Sequence, residues 1–219
     1  MIVVFIAGAS ASGKTKLTEL LLEGLSARAI HCFSIKMDDY YKEIPPNIDI
    51  AHYKQTTNFD NPDCLDFELL KEHLLDLDQG KSIYKPVFDF NIERRITNAL
   101  MRPPTVLVIE GTSALYFFHR FVPHLPKTYK IFIEVNQASL LKRRIARDLL
   151  ERGYAEEKSI LKKDTDFVRP TFLALIEPTK HFADMLVDNN KACDANTTPH
   201  LLQTTANNII NKITSFEDR

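Results

Sequence analysis

The chain opens on an unbroken apolar run, Ile2-Val3-Val4-Phe5-Ile6. A run this short and rich in β-branched residues predicts a strand buried on both faces, as in a parallel sheet. After it, Leu17, Leu20, Leu21 and Leu25 recur every three or four positions, the spacing of one helix face. The two patterns then alternate. Residues 29–35, 105–109 and 130–135 predict further strands, and Met185-Leu186-Val187 a short last one. Leu69, Leu70, Leu74 and Leu77 predict a helix opened by Asn61-Pro62-Asp63 and stopped by Gly80. Leu141, Ile145 and Leu149 predict the apolar face of a helix over 137–152, ended by Gly153. Residues 167–182 read as a helix interrupted by Pro178, and 201–213 as a closing helix. Strands alternating with helices predict an α/β fold in three layers, a mostly parallel sheet covered on both faces.

Two stretches break the alternation. Residues 43–63 are rich in Pro, Asn and Asp and read as an irregular insertion. Residues 82–98 contain Pro86-Val87-Phe88-Asp89-Phe90, and the Pro confines this segment to an edge strand or hairpin.

Between the first strand and first helix lies Gly8-Ala9-Ser10-Ala11-Ser12-Gly13-Lys14-Thr15. It fits the phosphate-binding pattern G-x-x-x-x-G-K-[ST] in the strand–loop–helix context that the chemistry requires. Gly8 and Gly13 allow backbone angles closed to other residues, so the loop amides turn inward on phosphate oxygens. The helix start adds its dipole. Gly8, Ala9, Ser10, Ala11, Ser12, Gly13, Lys14, Thr15 and Lys16 therefore form the expected nucleotide site. Lys14 is expected on the β- and γ-phosphates and the Thr15 hydroxyl on Mg²⁺.

With 219 residues, 44% of them hydrophobic, the chain fits one domain or one domain with a lid. A net charge of −1 offers no global field toward nucleic acid or a membrane. Cys32, Cys64 and Cys193 are unpatterned and odd in number, which points to a reducing compartment. The apolar N-terminus lacks a basic n-region, and no apolar run reaches membrane-spanning length. A cytoplasmic protein is expected.

The remaining chemistry sits where strands end, since ligands in open α/β sheets bind at the carboxyl edge. Glu110 closes the apolar strand 105–109 and suits Mg²⁺ beside Thr15; a helix cap or ion pair is the plainer reading. Asp38 and Asp39 follow the second strand, where one carboxylate can accept a proton from an attacking hydroxyl, though Asp-Asp-Tyr-Tyr is also good turn chemistry. Phe59-Asp60 sets a carboxylate beside a ring, fit for a sugar diol or for a capping turn. Arg143, Arg144, Arg147 and Arg152 are either a solvated helix face or cations that close over a transferring phosphoryl group.

Taken in order, residues 8–15, 36–42, 59–63, 86–90, 109–111, 143–153 and 178–184 resemble the uridine kinase family. The resemblance spans nearly the whole chain. It implies a single P-loop kinase domain, with insertions at about 43–63 and 82–98 and a helical lid at about 143–165. It implies transfer of phosphate from ATP or GTP, with Mg²⁺, to the 5′-hydroxyl of a nucleoside. Asp38 would be the general base and Asp60 would hold the ribose hydroxyls. Arg144, Arg147 and Arg152 would serve the lid and substrate cluster, and Tyr41, Phe59, Phe88 and Glu93 the acceptor pocket. A homo-oligomer, often a tetramer, is also implied. Phe88 replaces the tyrosine of the family's Pro-Val-Tyr-Asp-Phe, Glu93 aligns with its base-reading His, Tyr154 with an Arg, and Lys162 or Lys163 with a Gln.

Two other readings stay open. One is a kinase of another small hydroxyl compound, such as a phosphopentose, pantothenate or nicotinamide riboside. The other is a nucleotide-binding regulator without catalysis. A GTPase switch does not fit, because Asn190-Lys191-Ala192-Cys193-Asp194 is one residue too long for Asn-Lys-x-Asp. Nor does a transporter ATPase, since Leu-Ser-Gly-Gly-Gln is absent.

Overall fold

A computed structural model describes residues 1–44, 47, 48, 53, 56–90, 92–151, 156–190 and 198–215. In chain order, β1 (Ile2–Gly8) leads through the glycine loop into α1 (Lys14–Ser26), and β2 (Cys32–Lys36) into a 3₁₀ turn at Met37–Tyr40. Next come α2 (Phe67–Asp78), β3 (Ile83–Asp89), β4 (Arg94–Met101) and β5 (Val106–Glu110). The chain continues through α3 (Ala114–Phe121), β6 (Thr128–Glu134) and α4 (Gln137–Glu151). It ends with α5 (Glu157–Lys163), β7 (Met185–Asp188) and α6 (Thr198–Thr214).

The five strands β2-β5-β1-β6-β7 form one sheet, and every neighbouring pair is parallel. Alternation along β1 assigns its side chains to two cores. Val3, Phe5 and Ala7 pack with Leu70 and Leu74 of α2 and Leu115 and Phe117 of α3. Ile2, Val4 and Ile6 pack on the other face with Leu17, Leu21 and Leu25 of α1 and Ile209, Ile210 and Ile213 of α6. Period-2 side chains meeting period-3.6 helix stripes on both faces give the expected three layers.

β3 and β4 pair antiparallel outside this sheet, with a register shift between Val87 and Phe88. The expected hairpin is present, and Pro86 sits in its first strand.

Several boundaries differ from the sequence reading. The second strand begins at Cys32, because Ala29 takes φ 57 and Ile30 N–H closes back on Leu25 O at 3.1 Å, ending α1. Asn61 caps only the 3₁₀ turn Pro62–Cys64, while α2 starts at Phe67 with Asp66 accepting from Leu69 N–H at 3.2 Å. The apolar residues of α4 do not make its buried face. Leu149 is 39% exposed, whereas Ser139, Arg144 and Asp148 are buried, so this helix turns a charged stripe inward. The helix expected over 167–182 is instead a continuous winding from α5 onward. Its turns are π-wound at Asp164–Val168 and Phe172–Ile176 and tighten to 3₁₀ at Glu177–Phe182.

The parallel register brings all carboxyl ends to one edge. Glu110 stands level with Lys36 on one side and Ile6 on the other. Gly111, just beyond it, approaches Met37 so closely that a Cβ there would lie 2.7 Å from the Met37 Cβ. Gly111→Ala is expected to push Met37 and the turn behind it away from the site, costing ~1–3 kcal/mol of stability as overpacking does. Thermal unfolding checks the loss, and an unchanged Tm would show that the neighbouring turn yields freely.

Candidate active site

The loop after β1 needs its glycines where it has them. Gly8 has φ 146, and a Cβ on it would lie 2.6 Å from the carbonyl oxygen of Ile133 on β6. Gly13 has φ 101, and a Cβ there would lie 2.8 Å from Asn189 Nδ2. Ala11 also lies in the left-handed region, at φ 64. The loop thus closes tightly and α1 begins at Lys14. Asn189, which follows β7, donates from Nδ2 to Ser12 O at 2.8 Å, and its own N–H reaches Glu134 O at 2.9 Å. This buried amide props the loop from behind. The sequence reading missed it, although its place after a strand was a signal.

Lys14 is buried and donates Nζ to Gly8 O at 3.0 Å and Ala9 O at 2.9 Å. Burial pulls its ammonium below the ordinary 10.5, while Glu110, Asp38 and Asp60 pull the other way. Lys16 differs: its side chain lies outside and pairs with Glu19 at 3.3 Å. Thr15 Oγ1 donates to Glu110 Oε1 at 3.0 Å. Burial pushes the Glu110 carboxyl up, and Lys14 and the Thr15 hydroxyl draw it back down. Among the described residues no three His, Cys, Asp or Glu side chains gather as a metal cage. Mg²⁺ keeps waters and takes one or two protein oxygens beside substrate phosphates; the Thr15 hydroxyl and the Glu110 carboxylate are the oxygens here that could hold it.

The 3₁₀ turn after β2 gives its two acids different partners, where spacing alone left them equivalent and only the resemblance favoured Asp38. Asp39 forms an ion pair with Lys85 of β3 and accepts from Phe88 N–H at 3.4 Å. Asp38 instead acts electrostatically on Lys14 and Glu110. Arg95 of β4 secures the same segment, donating Nη2 to Tyr40 O at 3.3 Å and Nε to Tyr41 O at 3.1 Å.

Arg147 reaches from α4 to the loop, donating Nη1 to Ser10 Oγ at 3.2 Å. Arg144 is buried and faces Asp148 and Asp164. Arg143 turns away and donates to Asn189 O at 3.0 Å. Arg152 lies outside the described residues. A cleft of ≈ 320 Å³ opens beside the loop; Ser10, Asp60, Thr112, Arg144, Asp164 and Arg169 are among its polar lining residues.

The acceptor residues divide into two groups. Asp60 and Arg144 both line this cleft. Tyr41, Phe59 and Phe88 do not line it; they pack as an aromatic cluster, with Tyr41 rings 5.9 Å from Phe59 and 5.4 Å from Phe88. The Tyr41 hydroxyl donates to Phe59 O at 3.0 Å. Glu93 is buried near the β3–β4 turn at φ 51.

The model of the phosphoribulokinase/uridine kinase family matches residues 3–196. The chain belongs to that family. Within it, the chain is 33% identical over 188 residues to uridine-cytidine kinase 2-B of Danio rerio, covering 83% of this chain and 70% of that one. It is 34% identical over 190 residues to a uridine kinase of Deinococcus deserti, covering 84% and 86% respectively. Among solved structures, phosphoribulokinase from Rhodobacter spheroides superposes with a TM-score of 0.60 at 11% identity, covering 88% of this chain and 71% of that one. D-glycerate 3-kinase from Cryptococcus neoformans superposes at 0.58 and 12% identity, covering 81% and 80%. These two likenesses establish the P-loop kinase fold.

The contact from Arg147 to Ser10 of the loop can be tested. A donor aimed at charge that develops only in transfer contributes mainly to kcat. Arg147→Ala is expected to lower kcat about 10²-fold, as removal of one such donor does. Its ATP affinity should change far less. Equal losses in both would assign Arg147 to ground-state binding.

Proposed function

We propose that this chain transfers the γ-phosphoryl group of ATP, or GTP, to the 5′-hydroxyl of a pyrimidine nucleoside. The observation that carries the reading is the meeting of three strand ends: Lys14 from the β1 loop, Glu110 from β5 and Asp38 from β2 act on one another across one edge. A donor site and a base are both within that group. Relatives over most of the chain that are named uridine kinase support the acceptor class.

Asp60, on the cleft wall, would hold the ribose diol and direct the 5′-hydroxyl toward the loop. Asp38 would accept the hydroxyl proton as its oxygen bonds to the γ-phosphorus and the bond to the β-phosphate oxygen breaks. Lys14 and Arg147 would neutralise charge spreading over the transferring group, and Arg144 would close the cleft. Thr15 and Glu110 would hold Mg²⁺, which offsets negative charge on the β- and γ-oxygens when bound. A homo-oligomer in the cytoplasm accompanies this reading. Among the described residues no helix is long and apolar enough to cross a membrane.

A screen of nucleosides and other small hydroxyl compounds for ADP formation with Mg-ATP tests the proposal. Stimulation by uridine or cytidine supports it; stimulation only by a sugar phosphate or pantothenate moves the acceptor class and keeps the phosphate machinery.

Glu93 does not line the cleft, yet the resemblance sets it at the base-reading position, and if its carboxylate faces the base it makes the base choice testable. An ionised carboxylate accepts hydrogen bonds and does not donate them. Cytosine offers an amino donor at the 4-position, and uracil a carbonyl acceptor. An unmatched buried pair costs ~1–3 kcal/mol, about ten- to a hundredfold in specificity. Competition kinetics should favour cytidine over uridine, and Glu93→His should narrow the gap. Preference for uridine, unchanged in Glu93→His, would place Glu93 outside base recognition.

A further inference from the structure

Among the described residues of α4, Asp148 is the most deeply buried charged side chain, at 1% exposure. Burying a carboxylate is unfavourable unless cations and hydrogen bonds surround it. Two arginines do so here. Asp148 Oδ1 accepts from Arg147 Nε at 2.9 Å and from Arg147 Nη2 at 2.7 Å. Its Oδ2 lies 3.4 Å from Arg144 Nε. Arg144 Nη1 in turn lies 3.8 Å from Asp164, in the π-wound stretch beyond α5. Arg147 Nη1 reaches Ser10 of the phosphate loop. Alternating charges thus run from Asp164 through Arg144, Asp148 and Arg147 to the loop.

The local geometry explains what Asp148 does to Arg147. Adjacent residues on a helix do not face each other. Arg147 must therefore curl around α4 to present Nε and Nη2 to its neighbour. That fork grip fixes the plane of the guanidinium, because both hydrogen bonds lie in it. The remaining terminal nitrogen, Nη1, is left pointing at the loop. Arg144 has no such fork: its Nε and Nη1 are buried and make no hydrogen bond of normal geometry. Its charge is balanced while those two donors stay uncommitted.

We propose that Asp148 is a positioning residue that holds Arg147, and beside it Arg144, in the orientation required over the transferring phosphoryl group. At 1% exposure it is too buried to reach nucleotide or acceptor itself, and it acts through the two arginines. The proposal rests on the kinase reading above, and the test separates the two.

The test is a double-mutant cycle on the full chain with Asp148→Asn, Arg147→Ala and the pair. Asp148→Asn keeps the shape, and its one carbonyl oxygen can still accept both Arg147 bonds, but it removes the charge that faces both guanidiniums and turns an NH₂ donor toward Arg144. Misplacing a reacting-site group by about an ångström costs up to ~10²-fold. We expect Asp148→Asn to lower kcat ~10- to 100-fold, with ATP affinity held within about twofold. In the Arg147→Ala background it should add less than about twofold, as expected of residues acting as one unit. The same cycle on affinity for Mg-ADP with aluminium fluoride, which mimics the transferring group and needs no acceptor, should show the same non-additivity. That second readout stands even where no nucleoside is turned over. Losses that multiply, or an unchanged kcat and aluminium fluoride affinity in Asp148→Asn, would overturn the proposal and leave Asp148 a neutralising residue only. Should Asp148→Asn fail to fold, Arg147→Lys decides: an ammonium cannot grip one carboxylate with two fixed donors and aim a third. It should then lose as much as Arg147→Ala, and activity near that of the parent would overturn the assignment.

Discussion

Lys14→Ala is expected to lose about a thousandfold or more in turnover while the protein stays folded. The magnitude is the upper range for a single charge or donor aimed at a developing anion in a water-poor site. Lys14 meets those conditions: it is buried, at the start of α1, and its ammonium is held by two loop carbonyls rather than by a carboxylate. Arriving phosphate oxygens can take over those contacts with little reorganisation. Rates of ADP formation with the best acceptor, beside the thermal unfolding curve, check the prediction; undiminished turnover in a folded Lys14→Ala protein would remove the donor site from the loop. The sign of its pKa displacement adds a second expectation. Burial lowers the Lys14 pKa from 10.5, and only the ammonium form serves transfer. The alkaline limb of kcat/KM, which reports the free enzyme, should therefore fall at a pH below 10.5.

Asp38→Asn is expected to lower kcat by ~10²–10⁴-fold, the usual effect of removing a general base, with nucleotide affinity nearly unchanged. The substitution keeps the size but cannot take the proton. Asp39 supplies the internal control. Lys85 and the Phe88 amide hold its carboxylate, so it anchors the turn to the hairpin. Asp39→Asn should weaken that anchor and lower Tm more than it lowers kcat. The reverse pattern, a large kcat loss in Asp39→Asn and none in Asp38→Asn, would shift the base by one residue.

The sequence by itself determined the layers, the phosphate loop and the family. Apolar runs and heptad-like leucines report burial directly, because period 2 and period 3.6 map each residue to a face without any knowledge of distant contacts. The glycines at 8 and 13 report backbone angles for the same local reason. Tertiary structure decided what depends on which strands become neighbours. The order β2-β5-β1-β6-β7 places Glu110 on Thr15 and Asn189 behind Ser12, pairs separated by 95 and 177 positions. Such pairings are set by packing of whole elements, so no local pattern contains them. The same holds for the two acids after β2: the resemblance singled out Asp38, but only the hairpin cation Lys85 shows what occupies Asp39. It holds most plainly for α4. Its Leu141, Ile145 and Leu149 predicted an apolar inner face, yet the helix turns Arg144 and Asp148 inward, because opposite charges across the cleft and along the helix balance one another there.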